Sequence, residues 1–258
     1  MAELEAPTRH RWQRIFVAVV LVQLAAVLVL FHLLEDDYRS LGIVKYAVIG
    51  SIFVASRFLP RPTADHRWLA AAIVFLFIGD FFLIFIGTLP GLAPDLAFVK
   101  VGGMIGFLGG YLCLLAAYWR NVQWGRAEFV MALPVLVALV PVAVVLLPHL
   151  EGLMQLWALV FAAFLSLMAW SALCTVHRGY YDRGVALRFA AAGYLMFLSD
   201  LAVGLSFFYP GLHRNLPWLG TWIWVTYIPA WALIVVNLSE PRLRAVTPAP
   251  RILRTAGE

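Results

Sequence analysis

The sequence predicts an all-α integral membrane protein, a bundle of about eight transmembrane helices. Three observations carry this. Of its 258 residues 63% are hydrophobic and only 13% are charged, against roughly half and a quarter in soluble domains. Mean hydropathy is +0.88. The apolar residues fall in runs of about 20, the length that crosses a bilayer core, and Lys and Arg gather in every second loop.

Taken in order, the predicted spans are residues 15–34, 41–59, 68–86, 99–118, 129–147, 153–176, 185–208 and 219–238. The first run is too long for the core of a cleavable signal, and no small-residue cleavage motif follows it, so it reads as the first span. Helix-breaking pairs mark several connections, as at Pro60 and Pro62, Pro90 and Gly91, and Pro210 and Gly211. The chain divides into a cytoplasmic N-terminal tail (1–14), an eight-helix transmembrane domain (15–239) and a cytoplasmic C-terminal tail (240–258).

Orientation follows from the cations. One set of loops and tails holds Arg9, Arg11 and Arg14; Arg57, Arg61 and Arg67; Arg120 and Arg126; Arg178, Arg183 and Arg188; then Arg242, Arg244, Arg251 and Arg254. The other set holds Arg39, Lys45, Lys100 and Arg214, diluted by Glu35, Asp36, Asp37, Asp95 and Glu151. Both termini are therefore expected in the cytoplasm, with the chain in the cell (inner) membrane. The net charge of +5 sits beside the spans. It points to an anionic membrane surface rather than to nucleic acid.

Two aspartates stand out. Asp80 lies within IVFLFIGDFFLIF and Asp200 within AAGYLMFLSDLAVGL. An ionisable group at membrane depth costs at least a few kcal/mol, which makes it a functional candidate. Both lie a little past the midplane, so they can share one site. A neutral carboxylic acid beside a carboxylate is an acid–base pair. The alternative is that each separately caps a backbone defect or pairs with a cation. Displacing the chain by 120 positions lays Ala70, Ala71 and Ala72 on Ala190, Ala191 and Ala192, Phe77 on Phe197, and Asp80 on Asp200. Two parallel four-helix halves would produce this, as would chance similarity between apolar helices.

Other polar positions are less specific. Lys45 and Lys100 can each counter an aspartate or hold a lipid phosphate, although Lys100, at a span end, can equally snorkel to the interface. Gly102, Gly106 and Gly110 share one helix face. They allow close helix packing, or they leave room for a ligand beside Tyr111. Tyr227, Trp222, Trp224 and Trp231 can line the same space or serve as packing and interfacial aromatics. Cys113 and Cys174 read as small core residues. The six histidines (10, 32, 66, 149, 177 and 213) sit near span ends and form no zinc motif, so no metal or other cofactor is expected.

The order of Lys45, Gly79-Asp80 and Ser199-Asp200 resembles the YhhN family of membrane proteins, which includes the lysoplasmalogenases. GYLMFLSD (193–200), FVKVGGMIGF (98–107) and TYIPAWALI (226–234) are similar to the family's segments around its two aspartates and its last helix. The sequence departs from the family at Tyr46, where a proline often follows the lysine. It departs again at Gly110 and Tyr111, where a histidine is common, and at Trp231, where a glutamine is common. The resemblance implies a membrane-embedded hydrolase. It would cleave the vinyl ether of a lysoplasmalogen-like lysophospholipid to a fatty aldehyde and a glycerophospho-alcohol. Asp80 and Asp200 would be catalytic, and Lys45, Tyr111, Ser199 and Tyr227 would bind substrate. Paired intramembrane carboxylates also suit a different class, a proton-coupled transporter of lipids or small molecules.

Overall fold

The computed structural model describes residues 6–34, 38–89, 97–209, 216 and 218–245. Glu35, Asp36, Asp37, Pro90, Gly91, Asp95, Pro210, Gly211, His213, Arg214, Arg251 and Arg254 lie outside them. The described chain forms α1 (Ala6–Leu33), α2 (Tyr38–Arg57), α3 (Ala64–Asp80), α4 (Ala97–Tyr118), α5 (Arg126–Val130), α6 (Leu133–Leu146), α7 (Gly152–Arg178), α8 (Arg183–Phe208) and α9 (Leu219–Leu238). Among the described residues eight helices are long and apolar enough to cross a membrane, α5 and α6 together making one. The chain is thus a multi-pass, all-helical membrane protein.

Helix ends follow local chemistry. Thr63 caps α3, its hydroxyl accepting from the His66 amide, and Asp182 caps α8 by accepting from the Gly184 amide at 2.9 Å. Gly179 ends α7 at φ +65°, a left-handed turn that glycine adopts without steric cost. α1 starts at Ala6, earlier than the predicted boundary at 15, because its polar first turns are used: Gln13 bonds Ser239 at 2.9 Å and Glu240 at 3.2 Å.

The core is built by α3 against α4, α8 against α9, α7 against α8 and α4 against α7, with α1 resting on α9 and α2. Leu76, Tyr111, Leu114, Phe189, Phe197 and Trp231 are wholly buried there. The outer surface is equally apolar: Val22 is 70% exposed, Val137 71% and Leu153 70%. In water such a surface would be an aggregation liability. In a bilayer it is the lipid-facing side.

The glycines of α4 resolve as packing. A Cβ on Gly106 would come within 2.6 Å of the Gly79 backbone nitrogen. Gly102 receives the ring of Phe82, Gly103 the side chain of Leu83, Gly109 the ring of Phe75 and Gly110 the side chain of Leu76. The space the sequence left open beside Tyr111 is therefore filled by α3 and the turn after it.

The Arg-rich end of the bundle is held by ion pairs. Buried Asp65 meets Arg120 at 2.9 Å, accepts from the Tyr180 phenol at 3.1 Å and lies 3.5 Å from Arg244. Arg188 bonds Glu240 at 2.8 Å. Burial and then the Asp65 charge push both the Tyr180 and Tyr181 phenols up, so both stay protonated donors, Tyr181 to the Ala117 carbonyl.

Candidate active site

Asp80 is the last residue of α3. The next five residues, Phe81–Phe85, form a π-helical turn, a wider coil that often marks functional sites. The turn is accommodated because Gly102 and Gly103 offer no side chains where Phe82 and Leu83 must lie. Asp80 is 2% exposed and Asp200, within α8, is 8% exposed. Neither faces lipid.

Both aspartates line one cavity of about 310 Å³. Ser199 and Tyr227 line it as well. The remaining wall is overwhelmingly apolar, for instance Met104 and Phe107 of α4, Leu139 and Val142 of α6, and Leu159 and Phe161 of α7. Four of the six residues that the sequence assigned to the site are thus brought together from α3, α8 and α9, and Trp224 of α9 joins them.

The two carboxyl groups are not equivalent. The Tyr227 phenol donates to Asp80 Oδ2 at 2.7 Å. Asp200 Oδ2 is buried and has no hydrogen-bond partner among the described residues. Ser199 donates to the Ile223 carbonyl at 3.2 Å, tying α8 to α9 beside the site, and Thr226 donates to that carbonyl at 3.1 Å. The Tyr227 ring is itself held edge-on by Trp224, Trp231 and Phe107.

Two of the expected residues stand elsewhere. Lys45 is not among the described lining residues; its ammonium lies 4.7 Å from the Phe31 ring centroid and 4.9 Å from that of Trp224, a cation–π sandwich behind the cavity wall. Tyr111 is fully buried one layer back, packed on Phe107 and Phe161, which do line the cavity. Lys100, for which the sequence left open a place facing the aspartates or one at the interface, lines the cavity. Its position three residues into a helix signalled only the end of a span.

A second polar cluster was not foreseen. Glu128, Cys174 and His177 place one ligand-type atom each within 4.8 Å of one another. Both Glu128 oxygens, however, accept from the Arg178 guanidinium at 2.7 Å, and Arg178 also donates to the Tyr118 carbonyl at 2.9 Å. The carboxylate is committed to a bidentate ion pair, with Cys174 and His177 packed beside it.

A helical membrane protein with two buried carboxyl groups facing an apolar cavity is the class that fold and site define. Residues 42–238 match the YhhN family, and the chain belongs to it. No curated protein and no solved structure matches the chain.

Proposed function

We propose that the protein is a membrane-embedded hydrolase of the vinyl ether bond in lysoplasmalogen-like lipids. The observation that carries this is the pairing of Asp80 and Asp200 in one apolar-walled cavity. Family membership is consistent with it. The apolar wall suits an alkenyl chain, and two carboxyl groups suit acid–base work.

Vinyl ether hydrolysis begins when an acid protonates the carbon β to oxygen, leaving an oxocarbenium ion. Asp200, whose buried Oδ2 accepts no hydrogen bond among the described residues, fits the neutral acid. Asp80, accepting a hydrogen bond from Tyr227, fits the carboxylate. Asp200 gives its proton to carbon. Asp80 steadies the cation and takes a proton from the attacking water. The hemiacetal then loses its hydroxyl proton to one carboxylate as the other returns a proton to the leaving oxygen. Aldehyde and alcohol depart, and the pair regains its starting protonation, as paired carboxylates do in glycoside hydrolysis. Lys45, behind Trp224, would act on this site through the wall, and Tyr111 through Phe107.

The test is release of fatty aldehyde from a panel of lysoplasmalogens by purified protein in detergent. No gradient exists there, so a transporter yields no product. Absence of aldehyde with every substrate would end the hydrolase reading.

A further inference from the structure

The packing of α3 on α4 fixes a register. Leu76 sits at Gly110, Gly79 at Gly106 and Leu83 at Gly103. The two helices run antiparallel, so Asp80 stands level with Gly106. Lys100 lies six residues further toward the start of α4, about 9 Å along the axis at 1.5 Å per residue. A second register agrees. The Lys100 ammonium lies 5.9 Å from the Phe207 ring centroid. Phe207 is seven residues beyond Asp200 on α8, about 10 Å by the same rise. Lys100, Phe207 and Ser206 line the cavity that holds both aspartates. Among the described lining residues Lys100 is the one cation.

The cavity thus has a lysine whose backbone stands about 9 Å along the bundle from the level of Asp80, toward one end. In a glycerophospholipid five bonds separate the oxygen on the first glycerol carbon from the phosphorus on the third. At ordinary bond lengths that is about 6 Å when extended. The phosphate oxygens and the reach of a lysine side chain span the remainder.

We infer that Lys100 forms a phosphate subsite, which holds a glycerophosphate headgroup so that the ether oxygen at the other end of the glycerol meets Asp80 and Asp200. This rests on the hydrolase reading for the identity of the reacting bond, but not for the recognition of phosphate. The lysine acts as a ruler. A substrate with phosphate and ether on adjacent carbons, or with no phosphate, reaches the carboxyl groups without its anchor.

The experiment compares a 1-alkenyl-glycerophosphoethanolamine with the corresponding 1-alkenyl-glycerol, using wild-type protein, Lys100→Gln and Lys100→Arg in detergent. The expected result is that Lys100→Gln lowers the preference for the phosphorylated substrate, as a ratio of kcat/KM values, by about tenfold or more, chiefly through KM. Lys100→Arg keeps most of it. An equal loss on both substrates overturns the subsite. Binding is measured in parallel with saturated, unreactive ether analogues carrying or lacking the phosphate. If wild-type protein releases no aldehyde but binds the phosphorylated analogue through Lys100, the hydrolase reading falls and the subsite stands. If Lys100→Gln binds both analogues as wild type does, the subsite falls whatever the turnover.

Discussion

Tyr227 of α9 donates its phenol proton to Oδ2 of Asp80 on α3 at 2.7 Å, in a place shielded from solvent. A hydrogen bond to a charged group contributes about 1.5–3 kcal/mol. Tyr227→Phe removes the donor and little else. Its kcat is expected to fall by about tenfold to a hundredfold, with the protein still folded. The pH–rate profile is the diagnostic. It should show two ionisations belonging to the carboxyl pair, and losing the phenol should move one limb of it. Besides Tyr227, the described titratable groups near Asp80 are Asp200 on the cavity wall and Tyr46 of α2, with Lys100 further along the cavity. A variant with a lower rate but an unmoved profile would make Tyr227 a packing residue.

Asp80→Asn and Asp200→Asn keep size and shape but can neither act as an acid nor carry negative charge. Each should lower aldehyde release by about 10²- to 10⁴-fold. Neither should unfold the bundle, because burying the charge is itself costly. Near-normal rates in both variants would remove the pair from the mechanism.

Gly106→Val should fail at an earlier stage. The added side chain meets backbone, the Gly79 amide and Cα, rather than a movable side chain. The helices must separate, at a cost of about 1–3 kcal/mol or more, and Asp80 moves with α3. Lower thermal stability in detergent and lost turnover are expected together. Gly125→Ala is the contrast. Its added methyl meets one atom, the Gln123 carbonyl oxygen, at an ordinary 3.9 Å.

The ion-paired, Arg-rich end of the bundle should face the cytoplasm, following the loop charge bias. A reporter fused after residue 258 is expected to be active inside the cell. An active reporter on the far side would reverse the orientation.

How much of this could be read from the sequence depends on what apolar helices conceal. Span number and the two candidate aspartates were legible because charge is costly in lipid: Asp80 and Asp200 announce themselves in any apolar run. Which way a side chain points was not. Lipid-facing and core-facing sides are both apolar here, so Val137 and Leu76 look alike in sequence although one is exposed and the other buried. That is why Tyr111 and Lys45 stand behind the wall, and why the sequence leaves Lys100 between the interface and the cavity. The π-helical turn after Asp80 has no local composition signal; it depends on Gly102 and Gly103, some 20 residues further along. The Glu128–Arg178 pair joins α5 to the end of α7, a contact that no local pattern encodes.

The bond between Tyr227 and Asp80 also bears on the order of assembly. Asp80 belongs to the third span in order of synthesis, Asp200 to the seventh and Tyr227 to the eighth. A nascent chain with seven spans inserted therefore holds both carboxyl groups without the phenol that distinguishes them. The wall that Trp224 and Ile223 contribute is missing as well. Until α9 docks, the chamber is unfinished and its two acids have no assigned parts. The cavity is thus completed only by the last of the eight spans.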